Sequence, residues 1–220
     1  METLRLLVAN DELIAVDKPE GIATIPERIE REHCLQRLLE QQTGARPFVV
    51  HRLDKEVSGV IVFARSAAAH RHLCLQFERH EVRKLYTALV LGVPPEQRGV
   101  IERPVRQFGS GRMGIDTARG KPCRTEFEVV ERLDRHAILS VHPLTGRRHQ
   151  IRVHLYSLGH PVAGDPRYGD AAAQARYGRL MLHSSRLELR LLSGEALAIE
   201  SALPESFQRV LQSVRSGGLA

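Results

Sequence analysis

Short apolar runs that are rich in β-branched residues follow one another along this chain, and several are too close together to have a helix between them. Residues 58–63 read SGVIVF, which is typical of a buried strand. Residues 124–133 and 136–142 are also strand-like, and only two residues separate them. The pattern predicts an α+β fold with a mixed, mainly antiparallel central β-sheet flanked by helices, and it disfavours a doubly wound parallel sheet.

The remaining elements are predicted from local signals. Further strands are expected at residues 4–8, 13–16, 85–91 and about 182–189, and helices at about 31–42, after Ser66, at 148–158 and at about 204–214. Ser66 is a helix-capping residue, and Gly44 and Gly159 are expected helix stops. Residues 104–122 are rich in Gly, Arg and Pro, which predicts a mobile hairpin or loop with few apolar side chains to bury.

The charge of the chain narrows its partners. The formal net charge is +6 and the pI is about 9.6, and 28 of the 32 basic residues are Arg. Arginine presents a planar fork of donors that suits phosphates and base edges, so the composition favours nucleic acid, although a GC-rich genome would also produce it. No apolar run is long enough to span a membrane and the first residues lack a secretory pattern, so we expect a cytoplasmic protein. The three cysteines lack paired spacing and are expected to be free thiols.

The segment HRLDKEVSG (residues 51–59) precedes the buried strand at 58–63. Asp54 stands between the cationic Arg52 and Lys55, so its carboxylate is expected to be ionised and held at the rim of the sheet. From these residues alone, a turn or capping residue is the favoured interpretation of Asp54.

The segment PLTGRRHQIRVH (residues 143–154) runs from a strand into a helix. Helix N-terminal amides together with Arg147, Arg148 and Arg152 predict an anion-binding corner, although a simple phosphate-contacting face gives the same pattern. Arg152 follows the apolar Ile151 and is expected to point inward, where a buried guanidinium needs a carboxylate partner. In RKLYTALVLG (residues 83–92), Tyr86 is either a base-stacking side chain or a core aromatic.

Together these segments resemble the RluA-type pseudouridine synthases. HRLDKEVSG is similar to that family's HRLD-x-x-T-S-G block, and RKLYTALVLG to its K-x-Y-x-A block. GRRHQIRVHLYSLGHPVAGDPRYG (146–169), LMLHSSRLEL (180–189) and DELIAVDKPEG (11–21) resemble three further blocks in family order, so the likeness covers about residues 8 to 205. The chain departs from the pattern at Val57, where Thr is usual, and at Arg148, where Thr or Lys is common. These departures put local packing and RNA contacts in doubt more than the activity.

The resemblance implies a role for each site residue. Asp54 is the catalytic residue, either as a nucleophile on the sugar or as a base at its carbon 2, and Arg152 pairs with Asp54 and keeps it ionised. Tyr86 stacks on the uracil and assists a late proton transfer. The substrate-binding residues are His51 and Arg52 for the gap or the flanking phosphates, Arg147, Arg148, His149 and Gln150 for the RNA, and Ile151 and Leu182 for a dry pocket.

The same resemblance implies a cofactor-free and metal-free isomerase that flips a uridine out of structured RNA, either tRNA or large-subunit rRNA, with tRNA slightly preferred. We expect one catalytic domain over residues 1–220 with two lobes sharing one sheet and no separate RNA-binding domain in front. We also expect a monomer that binds neither DNA nor membrane.

Three alternatives stay open at this point. A catalytically silent RNA-binding protein of the same fold would be signalled by loss of the aspartate, which is present as Asp54. A metal-dependent hydrolase would need clustered carboxylates and histidines, which are sparse here. A DNA-directed factor would be distinguished by competition between duplex DNA and structured RNA.

Overall fold

The computed structural model describes residues 3–26 and 33–219. Within these residues the elements in chain order are β1 (Leu6–Ala9), β2 (Leu13–Lys18), α1 (Leu35–Thr43), β3 (Phe48–Val49), β4 (Ser58–Ala64), α2 (Ala67–Glu78), β5 (Arg83–Leu91), β6 (Arg98–Ile101), β7 (Val105–Gln107), β8 (Met113–Ile115), β9 (Thr125–Arg132), β10 (His136–Pro143), α3 (Gln150–Ser157), α4 (Ala171–Ala175), β11 (Leu182–Arg190), β12 (Ala196–Glu200) and α5 (Glu205–Arg215). The chain divides into two compact units. Unit 1 comprises Met1–Lys84 and Ser184–Ala202, and unit 2 comprises Leu85–His183 and Leu203–Ala220.

Unit 1 is built on an antiparallel sheet in which β2 lies between β1 and β4. The short strand β3 pairs with β4, and β12 pairs with β11. Every residue of β4 is buried, as expected for the SGVIVF run. Helix α2 packs Ala69 and Leu73 into the same apolar cluster as Val60 and Val62. Each large side chain buried there contributes roughly 1.5–3 kcal/mol, so this cluster is a main source of stability for unit 1.

Unit 2 is also organised around antiparallel strands, with β10 lying between β5 and β9 and β6 pairing with the outer side of β9. A separate hairpin is formed by β7 and β8. Helix α3 contributes Val153 to a small apolar cluster with Val105, Met113, Cys123 and Tyr168, which joins the hairpin to the helix. The predicted α+β class with a mainly antiparallel sheet is therefore confirmed.

Most helix boundaries agree with the predictions because they depend on local signals. Ser66 caps α2 by accepting a hydrogen bond from the Ala69 amide at 3.2 Å. Gly44 and Gly159, the two predicted stops, have φ values of 72° and 87°, in the left-handed region that favours glycine. Helix α3 begins at Gln150 rather than at Arg148. Helix α1 begins at Leu35, later than predicted, because Cys34 is an extended N-cap residue; the first two residues of the predicted helix lie outside the described residues. No helix in the described chain is both long and apolar enough to cross a membrane.

The segment 104–122 corrects one expectation. It forms a hairpin, as predicted, but the premise that it has few apolar side chains to bury is wrong. Val105 and Met113 are buried against Val153 of α3, and Cys123 lies in the same cluster. The prediction that this segment is mobile rested mainly on that premise, and the packing removes it. The sequence also gave no prediction for β3, β6, α4 or β12, which are short elements.

Candidate active site

Asp54 lies in the loop between β3 and β4, residues 50–57, and its side chain is partly exposed. Its own carbonyl accepts a hydrogen bond from the Val57 amide at 3.1 Å, which closes a turn immediately before β4. Arg52, on the same loop, is exposed and available to a phosphate. The loop thus presents Asp54 and Arg52 from a tight turn at the start of a fully buried strand.

Lys18 fixes the backbone after Asp54. This lysine ends β2 and is fully buried. Its Nζ donates hydrogen bonds to the carbonyls of Pro19 at 2.9 Å, Lys55 at 3.1 Å and Val57 at 2.6 Å. A lysine ammonium has three protons and carries a full charge, so bonds from it to carbonyls are stronger than neutral ones. The Lys18 side chain therefore fixes the path of the backbone from residue 55 to residue 57.

Thr24 fixes the backbone before Asp54. Its hydroxyl donates to the Leu53 carbonyl at 3.0 Å and accepts from the Leu53 amide at 3.2 Å. The amide of Gly21 adds a bond to the Lys55 carbonyl at 2.8 Å. Gly21 and Thr24 both lie in the segment that follows β2, so this segment clamps the Asp54 loop.

His51, predicted to fill the gap left by the flipped base or to hold flanking phosphates, makes contacts within the protein that the sequence did not predict. Its Nε2 accepts a hydrogen bond from the Val62 amide of β4 at 3.1 Å. Val62 directly precedes Phe63 and Ala64, the two β4 residues that pair with β3. Its ring stacks on Phe77 with centroids 4.5 Å apart. Burial, helped by the charge of Lys84, lowers the pKa of His51 to about 3, and burial also lowers the pKa of Lys84 to about 8. A neutral, stacked and bonded imidazole anchors the loop and has little to offer a phosphate.

Gly59 explains why the HRLDKEVSG block ends in glycine. Its φ is +108°, and a Cβ atom there would lie 2.2 Å from the Ser184 carbonyl oxygen. Since backbone cannot move aside as a flexible side chain can, any other residue would push β4 away from Ser184.

In unit 2, Arg152 is fully buried and has a carboxylate partner, as a buried guanidinium requires. The partner found is Asp165, which accepts from Nε at 2.7 Å and from Nη2 at 2.8 Å. The Asp165 carboxylate also accepts from the amides of Arg167 and Tyr168. The sequence prediction named Asp54 as the partner of Arg152 and did not name Asp165, although Asp165 lies within the quoted GHPVAGDPRYG block. The pair ties α3 to the segment that follows Gly164.

Two predicted RNA-binding residues at the start of α3, His149 and Gln150, form hydrogen bonds within the protein. The Gln150 amide accepts from Thr145 and from the Arg147 backbone, and it donates to the Arg124 carbonyl and to Thr125. His149 is buried in a left-handed conformation (φ 53°), and its Nδ1 lies 2.9 Å from the Tyr168 hydroxyl. These bonds give Gln150 and His149 a structural role that the sequence did not predict.

The other predicted residues of unit 2 have environments that suit their assigned roles. Arg147 and Arg148 are exposed on the turn before α3, where phosphate can reach them. Ile151 and Leu182 are buried, and Tyr86 is partly buried on β5 opposite Val141 of β10. None of these placements tests the role itself, so the site assignments stay predictions.

Comparison with known proteins decides the family. The sequence profile described as RNA pseudouridylate synthase matches residues 12–157, which include the whole Asp54 loop and α3. This chain belongs to that family. Its members are isomerases, and the family's relatives act on RNA. The resemblance predicted from the five sequence blocks is therefore confirmed.

Curated relatives agree with this assignment. The chain is 37% identical to the ribosomal large subunit pseudouridine synthase D of Nitrosomonas europaea, over 97% of this chain and 66% of the relative. It is 38% identical to the dual-specificity RNA pseudouridine synthase RluA of Escherichia coli K12, over 84% of this chain and 86% of the relative. The chain thus spans about two thirds of the first of these proteins and most of the second.

Solved structures agree as well. Human RNA pseudouridylate synthase domain containing 1 matches with a TM-score of 0.79 and 29% identity, over 98% of this chain and 96% of that one. Human RNA pseudouridylate synthase domain containing 4 has the same TM-score at 25% identity, over 96% and 92%. The fold of this chain is that of a pseudouridine synthase domain.

Proposed function

We propose that this chain converts specific uridines to pseudouridine in structured RNA, with Asp54 as the catalytic carboxylate. The observation that carries the proposal is the way the Asp54 loop is held. Thr24 fixes Leu53 on one side, Lys18 fixes Lys55 and Val57 on the other, and His51 anchors the start of the loop. A loop that needed only to connect two strands would not require three buried or partly buried polar side chains for its backbone. Such restraint is what a carboxylate needs when it must meet a reacting atom in a fixed geometry.

The reaction exchanges the bond between sugar and base and moves one proton. The bond from ribose carbon 1′ to uracil nitrogen 1 breaks, the base turns, and carbon 5 of the base bonds to carbon 1′. The proton on carbon 5 leaves and nitrogen 1 gains one, so the product is an isomer. Asp54 acts either as a nucleophile on the sugar or as a base at carbon 2′. Arg152, Tyr86 and Leu182 keep the roles that the family resemblance assigns to them.

For the substrate, we propose tRNA first and large-subunit rRNA second. Both are structured RNAs, in which a stacked uridine must be flipped out before its sugar can be attacked. The name of the Nitrosomonas relative specifies the large ribosomal subunit, and the name of the E. coli relative specifies dual specificity. Because the chain covers more of the dual-specificity relative than of the ribosomal one, both kinds of RNA are tested, with tRNA first.

The test of Asp54 uses RNA that carries tritium on carbon 5 of its uridines. The parent protein should release tritium, and Asp54→Asn should release none while its RNA affinity stays within a few-fold, because the amide keeps the shape but cannot act as nucleophile or base. Glu56→Gln makes the same chemical change two residues away in the same loop and should keep the parent rate. Substantial tritium release by Asp54→Asn would remove Asp54 from the mechanism.

The test of the substrate maps pseudouridines in tRNA and in large-subunit rRNA from cells with and without the gene. A uridine that loses its modification only in the deleted cells, and regains it when the purified protein is added to that RNA, identifies the target. Tight RNA binding without tritium release from any RNA would favour the catalytically silent alternative.

A further inference from the structure

A cavity of about 430 Å³ lies in unit 2 between the β7–β8 hairpin and helix α3. The buried side chains of Met113, Val153 and Tyr168 form its floor, and the exposed side chains of Phe108 and Tyr156 stand at its mouth. Its volume is in the range typical of sites that bind small molecules or single groups of a larger ligand. None of the residues assigned above to the isomerisation lines it.

The walls of this cavity combine flat aromatic rings with a flat cation. The Arg112 guanidinium lies 5.9 Å from the ring centroid of Tyr156 and 5.2 Å from that of Tyr168. The two tyrosine rings are 5.9 Å apart and tilted by 44°. Aromatic rings and guanidinium planes are the surfaces on which RNA-binding proteins stack unpaired bases. The Phe108 ring also has a guanidinium beside it, that of Arg106 at 5.7 Å from the ring centroid.

The charge around the cavity agrees with a polyanionic ligand. None of the lining residues, all of which are in the described part of the chain, is acidic. Arg103 adds a second cation at the rim, where it donates to the Ser157 carbonyl at 2.7 Å. The nearby carboxylate of Asp116 is paired with Arg106 at 2.9 Å. An aliphatic peptide could use the apolar floor, but it has neither a flat ring to stack on the tyrosines nor the phosphates that pair with the two arginines.

We propose that this cavity is a second base-binding subsite, which takes an unpaired nucleobase of the RNA substrate. The proposal rests on the proposed function only in taking RNA as the ligand, and it does not depend on the chemistry of Asp54. Stacking is tolerant of base identity, so the subsite would hold the RNA in place rather than select a sequence.

The experiment exploits the absence of tryptophan from the chain. Phe108→Trp places a single indole at the cavity mouth, where a stacked base should quench its fluorescence. The protein is titrated with a single-stranded hexa-adenylate and with a hexamer of the same length in which the sugars carry no base. Quenching by the first oligomer alone is the expected result, and it should persist in an Asp54→Asn background.

Affinity measurements supply the second arm. Tyr156→Ala and Phe108→Ala should each weaken binding of hexa-adenylate by roughly 5- to 100-fold, the range expected for loss of one stacked base. Neither change should weaken binding of the abasic hexamer, which offers only phosphates. Phe48→Ala removes a comparably exposed phenyl ring, 40% against 43% for Phe108, from unit 1 and should leave both affinities unchanged. Circular dichroism confirms that each variant is folded.

Equal parent affinities for the two oligomers, binding of neither, or quenching by an apolar peptide but not by RNA would each overturn the subsite. These outcomes are independent of tritium release. If the protein isomerises uridine but shows no base-dependent quenching, only the subsite proposal fails. If it shows quenching without isomerisation, only the proposed function fails.

Discussion

Two fully buried cations hold two different parts of this protein, and their partners differ. In unit 1, Lys18 donates to three backbone carbonyls, two of which belong to the Asp54 loop. In unit 2, Arg152 donates two parallel bonds to the Asp165 carboxylate. The compact ammonium suits three carbonyls that converge from different directions, and the planar guanidinium fork suits a carboxylate.

This difference shows what each cation is for. Lys18 fixes the path of a backbone, so its loss should appear first in the position of Asp54 and therefore in the reaction rate. Arg152 balances a buried negative charge and ties α3 to the following segment, so its loss should appear first in the stability of unit 2. The two roles can be separated by measuring unfolding and turnover on the same variants.

The largest expected effect is on the Arg152–Asp165 pair. Arg152→Ala should lower the free energy of unfolding by about 3–5 kcal/mol, because it leaves the buried Asp165 carboxylate without this cation. Asp165→Ala should cost a similar amount for the converse reason. Urea unfolding monitored by circular dichroism measures both, and tritium release should also be lost in Arg152→Ala.

A double variant controls this interpretation. Arg152→Leu combined with Asp165→Leu removes both charges together, so it should be more stable than either single leucine variant. Additive losses in the double variant would show that the two side chains are not coupled. Arg152 would then not stabilise unit 2 through Asp165.

A smaller loss of stability is expected for Lys18→Met. Methionine fills a similar volume but leaves three carbonyls without this donor, and partial access of water limits the loss to about 2–4 kcal/mol. Under conditions where the variant is folded, its kcat should fall much more than its RNA affinity, because the Asp54 loop is displaced while the exposed Arg52 remains. Lys121→Met, a change at an exposed lysine, is the control for stability. A folded Lys18→Met with parental kcat would contradict the clamp.

Sequence patterns located the parts of the structure that depend on neighbours along the chain. The Ser66 cap, the Gly44 and Gly159 stops and the buried run at β4 each depend on a few consecutive residues, and all were predicted. Asp54, Tyr86 and Arg152 were noted from their local sequence, and the family resemblance assigned their roles. Neither route needed the three-dimensional arrangement.

Roles that depend on distant partners were missed. Gln150 was predicted to bind RNA, but its amide is used by Arg124 and Thr125, about 25 residues earlier. Asp165 was not connected to Arg152 because no local pattern links a turn residue to a helix residue 13 positions before it. Lys18 was quoted as part of a motif, yet its bonds to Val57 span 39 positions and leave no trace in composition or periodicity.

The His51 anchor gives a pH-dependent test of the Asp54 loop. Because the pKa of His51 is about 3 in the folded protein and 6.5 in the unfolded chain, the unfolded chain binds more protons between these values. Stability should therefore fall as the pH drops below 6.5, by about 3 kcal/mol at pH 4. His51→Gln can still accept the Val62 hydrogen bond but does not titrate, so its unfolding free energy should fall less over this range. Parallel pH profiles for the parent and the variant would show that His51 does not titrate with folding.

The smallest expected effect concerns the β7–β8 hairpin, a third region that is held by apolar packing. Its two arginines differ in their contacts. Arg106 is paired with Asp116, and hydrogen bonds from the Arg119 amide and from Arg106 hold the pKa of Asp116 below its usual value. Arg112 is exposed and lies over Tyr156 and Tyr168. Because Arg106 is already paired and Arg112 is not paired with a carboxylate in the described part of the chain, we expect the two arginines to contribute unequally to RNA binding.

Salt dependence of RNA binding measures this inequality, since each phosphate contact releases condensed counterions and steepens the plot of log K against log salt. Arg112→Ala should flatten that slope by about one unit, and Arg106→Ala by clearly less, because its charge is already balanced. Arg98→Ala is the control for the loss of one positive charge in unit 2. Arg98 is an exposed arginine of β6 that is paired with Glu128 of β9. Equal flattening by Arg106→Ala and Arg112→Ala would mean that the Asp116 pair opens when RNA binds. In that case the hairpin, unlike the loop held by Lys18 and the helix held by Arg152, would rearrange to meet its ligand.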